Sequence, residues 1–286
     1  MAVYKRTYRG YSGALTAAWS RFLVLFRYSR RDLFRSKFMT GFNVFCLFFP
    51  VLCLLGIYAN AHLSAFSFLG QRSGPLLKID GKFFLLFLGI QSSLAFLLTA
   101  FIGPGLVSPD LANGALTLYL CRPLSRIEYI LGKMSVLVIV LSWVTWIPGL
   151  VLFFVQASLS GWGWMVDNFW IAGGIVLGSW LWIVSIGLLA LALSAWVKWR
   201  IAAGALLLAV LFMGDGFAHA INRVLQTEQG FLFDITKLTT IVWQDLLHDS
   251  ADRPIPVGEA WVALLAFAGL CFYLLMKKIR ANEVVR

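Results

Sequence analysis

Long uncharged, apolar runs alternate with short charged stretches along most of this chain. Residues 38–60 follow Lys37 without a charge; 83–109 lie between Lys82 and Asp110, 134–166 between Lys133 and Asp167, 168–197 between Asp167 and Lys198, and 260–276 between Glu259 and Lys277. Crossing about 30 Å of hydrocarbon takes roughly 20 helical residues, so most of these runs can span a bilayer. A sixth run starts at Ile201 and is interrupted by Asp215 and His219 before Arg223. The pattern predicts an all-α integral membrane protein with six transmembrane helices, at about 38–60, 83–107, 130–157, 169–197, 201–222 and 259–277.

Composition supports the same class independently. Of 286 residues, 60% are hydrophobic and 13% charged. A water-soluble domain of that length still needs a polar shell, so much of this apolar surface must face lipid.

Charge sets the expected orientation, because Lys and Arg near span ends stay on the cytoplasmic side. With six spans and an inner N-terminus, the inner segments 1–37, 108–133, 196–201 and 277–286 carry nine, three, two and four Lys and Arg, 18 of the 24 in the chain. Both termini are therefore expected in the cytoplasm, the last residues (278–286) as a short tail. The net charge of +11 then reads as a topology signal and an attraction to anionic membrane lipids. It does not point to nucleic acid, because the basic residues track span ends.

The first 37 residues hold nine basic residues and no compact apolar stretch ahead of a small-residue cleavage site, so no cleavable signal peptide is expected. Leu15, Trp19, Phe22, Phe26 and Leu33 fall within about 40° of one helical direction, while Arg21, Arg27, Arg31 and Arg35 point away. This predicts an amphipathic helix at the headgroup boundary over 1–37.

The segment between the second and third spans, 108–133, is the most specified part of the chain. Ser108 is placed to N-cap a short helix with Pro109 at its first position and Asp110 in its first turn. That helix is expected to lie across the inner membrane face and stop near Arg122 and Pro123. It would turn Asp110, Asn113 and Thr117 outward and Leu111, Ala115 and Leu118 toward the spans. Ser125, Arg126, Ile127 and Glu128 then read as a capping box opening the third span.

The positions Asp110, Asn113, Gly114, Thr117, Leu118, Arg122, Pro123, Ser125, Arg126, Gly132 and Lys133 resemble the loop between the second and third membrane helices of ABC-2-type permeases, the membrane subunits of one class of ATP-binding-cassette transporters. This chain departs from their pattern in having Asp110 where many carry glutamate, and Ala115 and Leu116 between the glycine and Thr117. The resemblance implies an ABC-2 permease-like fold in which 1–37 forms an elbow touching an ATPase, through Trp19, Phe22, Phe26, Arg27, Arg31 and Arg35. It implies that Asp110, Asn113, Gly114, Thr117, Leu118, Arg122, Pro123 and Arg126 couple the spans to that ATPase. Two copies of a cytoplasmic ATPase, carrying ATP and Mg, and a second permease copy or paralogue are the implied partners. An exporter in a prokaryotic plasma (inner) membrane is the implied setting.

Residues 223–258 form the longest outer segment, acidic where the inner face is basic. Phe231, Ile235, Leu238, Val242 and Leu246 follow helical spacing, which predicts an amphipathic helix or a re-entrant hairpin dipping into the outer leaflet. In the resembling family, helices at this place cap the exit. Asp215 and His219, four apart on one helix face, have two readings. Either they satisfy each other or water where the fifth span frays around Gly214 and Gly216, or they line the exit of a translocation path. Trp162, Trp164 and Trp170 read as an aromatic belt. Cys46, Cys53, Cys121 and Cys271 have no CxxC spacing and read as packing residues.

No GxxxxGK[ST] phosphate loop, HExxH motif, nucleophile elbow or paired intramembrane carboxylates occur in the sequence. No catalytic residue, cofactor site or metal site is assigned to this chain, and it is not expected to hydrolyse ATP. Two other classes stay open, an integral membrane enzyme of lipid or peptide processing and a non-transporting scaffold or sensor subunit.

Overall fold

A computed structural model describes residues 27–29, 36–62, 78–115, 125–197, 199–249, 251 and 253–279. Every regular element among them is helical. Among the described residues, six helical stretches are long and apolar enough to cross a membrane: Lys37–Ala61, Gly81–Ala112, Arg126–Ser160, Phe169–Trp196, Arg200–Leu225 and Val257–Lys278. The chain is a multi-pass membrane protein, and these stretches are its first to sixth spans.

The first three spans are each broken once, at Leu47, Gly103 and Thr145, and each break has a proline just beyond it, Pro50, Pro104 and Pro148. Proline has no N–H to offer the carbonyl four residues back, and its ring crowds that turn, so an otherwise continuous helix bends there.

The fourth span is the centre of the bundle. Its most apolar stretch is 67% buried, against 22% for the first, fifth and sixth spans. Apolar side chains find as good a solvent in lipid as in protein, so close backbone approach is what holds such helices together. Small residues permit it: a Cβ added at Gly174 would stand 2.9 Å from the Leu246 carbonyl oxygen, and one at Gly187 would strike Met134.

The segment after the fifth span folds back along it. The fifth span ends at Leu225, and Gln226 turns the chain through the left-handed region at φ 49°. The chain then runs back along the same span as a 3-10 turn, Gln229–Phe233, with the Gly230 N–H donating to Asn222 Oδ1 at 2.7 Å. By Phe233 it has reached Gly214, where an added Cβ would meet the Phe233 carbonyl oxygen at 3.3 Å. Gly214 lies about 16 Å along the span from Leu225, so the hairpin enters the membrane. Asp234 caps the returning helix, Ile235–Leu246, by accepting from Thr236 N at 2.9 Å. Ile235, Leu238, Ile241, Val242 and Trp243 are buried along it, and Trp243 meets Trp182 of the fourth span edge to face, 6.0 Å between centroids. The helix expected from the spacing of Phe231, Ile235, Leu238, Val242 and Leu246 is therefore Ile235–Leu246, preceded by a turn packed on the fifth span.

Of the reading in which Asp215 and His219 satisfy each other where the fifth span frays, the pairing is seen, at 3.5 Å, and the fraying is not. The span is one unbroken helix of 26 residues, because Gly214 serves the close approach of Phe233 rather than a weak point in the helix.

Two ends of the bundle are distinct. At one, Arg253 bonds Asp245 Oδ1 at 2.8 Å and the Asp249 carbonyl at 3.1 Å, Lys82 lies 3.5 Å from Asp249, and Trp170 packs on His248. Trp164 is packed against Phe153, so of the three belt tryptophans Trp162 alone is largely exposed, at 75%. At the other end, Lys278 sits over the Trp196 ring and Arg200 donates to the Phe101 carbonyl.

Candidate functional site

The basic end of the bundle holds the best-connected polar cluster. It starts with local chemistry at the head of the third span. The Ser125 hydroxyl accepts from Glu128 N at 3.2 Å, and Glu128 Oε2 accepts from Ser125 N at 2.6 Å, the expected capping box. A helix begun there puts Tyr129 and Lys133 one turn apart on the same face.

That face meets the second span. Lys133 Nζ stands 2.8 Å from Asp110 Oδ2, with the two side chains 7% and 17% exposed. The Tyr129 hydroxyl donates to the same carboxylate oxygen at 2.8 Å. Lys133 also donates to Ser29 Oγ at 3.4 Å, which ties in the segment ahead of the first span. A buried ammonium with a carboxylate, a phenol and a hydroxyl around it is satisfied. Removing its carboxylate leaves an uncompensated charge, a loss of about 3–5 kcal/mol for a buried pair.

The fourth span closes the cluster from behind. Ser194 Oγ accepts from Val107 N at 3.2 Å and Ser108 N at 2.9 Å and donates to the Pro104 carbonyl at 2.9 Å. The Ser194 hydroxyl thus reaches three backbone groups in the first turns of Pro104–Ala112. In return, the Ser108 hydroxyl donates to the Val197 carbonyl at 2.8 Å. At this basic end the second, third and fourth spans are therefore one hydrogen-bonded unit.

This geometry corrects three expectations for 108–133. Ser108 is not an N-cap and Pro109 is not a first helical residue; both lie inside Pro104–Ala112, which starts at the proline following the Gly103 break. The helix that contains Pro109 ends at Ala112, with Asn113 as its C-cap and Gly114 at φ 66°; Ala115 is helical again, and residues 116–124 lie outside the described residues. Asp110 is not turned outward but points into the bundle at Lys133. The physical reason is common to all three: tertiary partners on the third and fourth spans outbid a local cap.

Other site residues fall as follows. Asn113, Gly114 and Arg126 are exposed at this end. Thr117, Leu118, Arg122 and Pro123 lie outside the described residues, as do Trp19, Phe22, Phe26, Arg31 and Arg35 of the elbow; Arg27 is helical and exposed. Asp215 and His219 are brought together at 3.5 Å, away from this cluster, and stay 60% and 65% exposed. Sequence reasoning missed Tyr129 and Ser194. The i, i+4 spacing of Tyr129 and Lys133 after a capping box was a usable signal for the first. Nothing in the sequence marks Ser194, one serine among small residues of a long apolar helix.

Among the described residues, no group of three or more His, Cys, Asp or Glu is arranged to hold a metal ion. The chain matches no known family model and no curated protein.

Proposed function

We propose that the chain is the membrane permease subunit of an ATP-binding-cassette transporter of the ABC-2 type, an exporter in a prokaryotic plasma membrane with both termini cytoplasmic. In this reading a separate cytoplasmic ATPase, two copies with ATP and Mg, docks at the basic end, and a second permease copy or paralogue completes the pathway. The chain itself performs no ATP chemistry.

The observation that carries the reading is the Asp110–Lys133 ion pair. Both positions belong to the pattern that resembles ABC-2 permeases, and they meet in space at the mouth of the segment that pattern assigns to ATPase docking. Together with Ser194 they make the second, third and fourth spans respond as one body to a push on the exposed turn at Asn113 and Gly114. A force applied there is not lost in a slack loop, which is what conversion of ATPase motion into a two-state movement of spans requires.

The test is isolation from native membranes under mild detergent, followed by mass spectrometry. A cytoplasmic ATPase recovered in equal amount is expected, and Asn113→Trp, at an exposed position, should reduce its recovery or uncouple hydrolysis from transport. A stoichiometric membrane partner with no ATPase would favour the enzyme or scaffold readings instead.

A further inference from the structure

The end of the fifth span away from Arg200 opens on a cavity of about 510 Å³, walled by His219, Asn222, Arg223, Thr227, Glu228 and Phe231. Arg223 stands about 35 Å along the helix from Arg200. With Arg200 at one face of about 30 Å of hydrocarbon, the cavity therefore lies in the headgroup layer of the opposite leaflet. Its walls are fixed. Gln226 turns the chain at φ 49°, and Asn222 Oδ1 accepts from Gly230 N at 2.7 Å. The Phe231 ring meets His219 edge to face, 5.3 Å between centroids, and Lys237 Nζ sits 5.5 Å from the same ring.

The cavity holds one permanent cation and one anion that do not use each other. Arg223 and Glu228 are both exposed, and among the described residues neither forms an ion pair. Neighbouring carboxylates are committed elsewhere: Asp215 lies 3.5 Å from His219 Nε2, and Asp234 caps its own helix through Thr236 N. Toward the membrane centre the same helix offers an apolar track. Ala205, Ala209 and Gly216 lie within about 40° of the direction of Arg223, with Phe212 on one side of this strip and Met213 on the other, 74% and 70% exposed. A Cβ added at Gly216 would meet nothing within 4 Å, so the floor of the track is open.

We infer that this face binds one membrane phospholipid whose headgroup carries both a phosphate and a primary amine, a phosphoethanolamine head. The phosphate lies against Arg223, the ammonium against Glu228, and an acyl chain follows the strip between Phe212 and Met213. A planar guanidinium matches phosphate oxygens in pairs, and a carboxylate accepts from the N–H groups of a primary ammonium. Such a headgroup answers both unpaired charges at once. One with a phosphate alone leaves Glu228 facing a second negative charge, and a trimethylated amine has no N–H to give it. The inference concerns a lipid held beside this chain and is independent of the permease reading.

Native mass spectrometry of the full chain, extracted in detergent, stripped of lipid and titrated with dioleoyl phospholipids, tests it. Phosphatidylethanolamine should be retained about tenfold more tightly than phosphatidylcholine or phosphatidylglycerol, the scale of one charge-assisted hydrogen bond. Glu228→Gln should erase that preference without weakening the other two lipids, a ratio that does not depend on how much of the variant folds. Arg223→Gln should weaken all three about tenfold, and Gly216→Trp, whose ring enters the strip, should weaken all three as well. A preference for phosphatidylethanolamine that survives Glu228→Gln, tighter retention of phosphatidylglycerol, or retention untouched by Arg223→Gln overturns the assignment. Two further results would also overturn it. Soluble phosphoethanolamine that displaces the lipid at equal concentration would make the occupant a free headgroup compound, and a chain of twice its mass that Gly216→Trp splits would make it a second copy.

Discussion

Gln91 of the second span donates through Nε2 to the Cys46 carbonyl of the first at 2.8 Å, and Cys46 is the residue whose helical partner position is occupied by Pro50. The carbonyl that a proline orphans in one helix is thus satisfied by a side chain from the next. In a bilayer no water is at hand to do so, and an unsatisfied backbone group there costs several kcal/mol. The bend in the first span and the buried amide in the second are two halves of one feature.

A double-mutant cycle tests it. Gln91→Met, similar in volume but without the donor, should destabilise the wild type by about 1 kcal/mol. In a Pro50→Ala background, where residue 50 regains an N–H for the Cys46 carbonyl, the same change should cost clearly less. Unfolding in mixed detergent measures both; equal costs in the two backgrounds would show the residues to be uncoupled.

At the basic end, Asp110→Ala should cost about 3–5 kcal/mol, since it strands the buried Lys133 ammonium. Asp110→Leu combined with Lys133→Met should recover most of that loss, because the expensive state is the unpaired charge and not the missing pair. Thermal unfolding of the three variants decides the point. A double variant as unstable as Asp110→Ala would mean that the pair itself holds the spans together.

Two glycines of the fourth span should respond in opposite directions. A Cβ at Gly178 would come within 2.6 Å of the Trp243 ring, whereas one at Gly173 meets nothing within 4 Å. Gly178→Ala should destabilise by about 1–3 kcal/mol through overpacking against the re-entrant helix. Gly173→Ala should be neutral or stabilise by up to about 1 kcal/mol, the helix-propensity gain. The same unfolding assay reads both.

For orientation, reporter fusions at Asn113 and at Gly163 should give opposite sides, cytoplasmic for Asn113. Both positions are exposed at opposite ends of the bundle. Gly230 is unsuitable for a fusion, since it is buried against Ala218 and Asn222 within the hairpin. A same-side result would contradict the six-span topology.

How much of this was legible beforehand divides along the range of the interactions. The six spans follow from apolar run length alone, because the bilayer imposes a minimum helix length that few other structures share. The capping box at Ser125 and Glu128 was equally readable, being a contact between residues three apart whose energetics are settled within one turn. The amphipathic spacing of Leu238 and Val242 announced a helix with one buried face.

What the sequence could not decide was which neighbour each polar group would choose. Ser108, Pro109 and Asp110 satisfy every local rule for a helix start, yet Ser194 and Lys133, 86 residues away in one case and on a different span in the other, claim their backbone and side-chain groups. The same holds for the hairpin: periodicity identified a helix at Ile235–Leu246, and only Gly178, Gly174 and Gly214 lining its path decided that it folds back into the bundle. By itself, then, the sequence determined the solvent, the helix count and the local caps, since these depend on composition and on residues within a turn of one another. The tertiary structure alone decided the pairing of Asp110 with Lys133, the depth of the hairpin and the exposure of Asp215 and His219, because each depends on how closely two helices distant in sequence can approach.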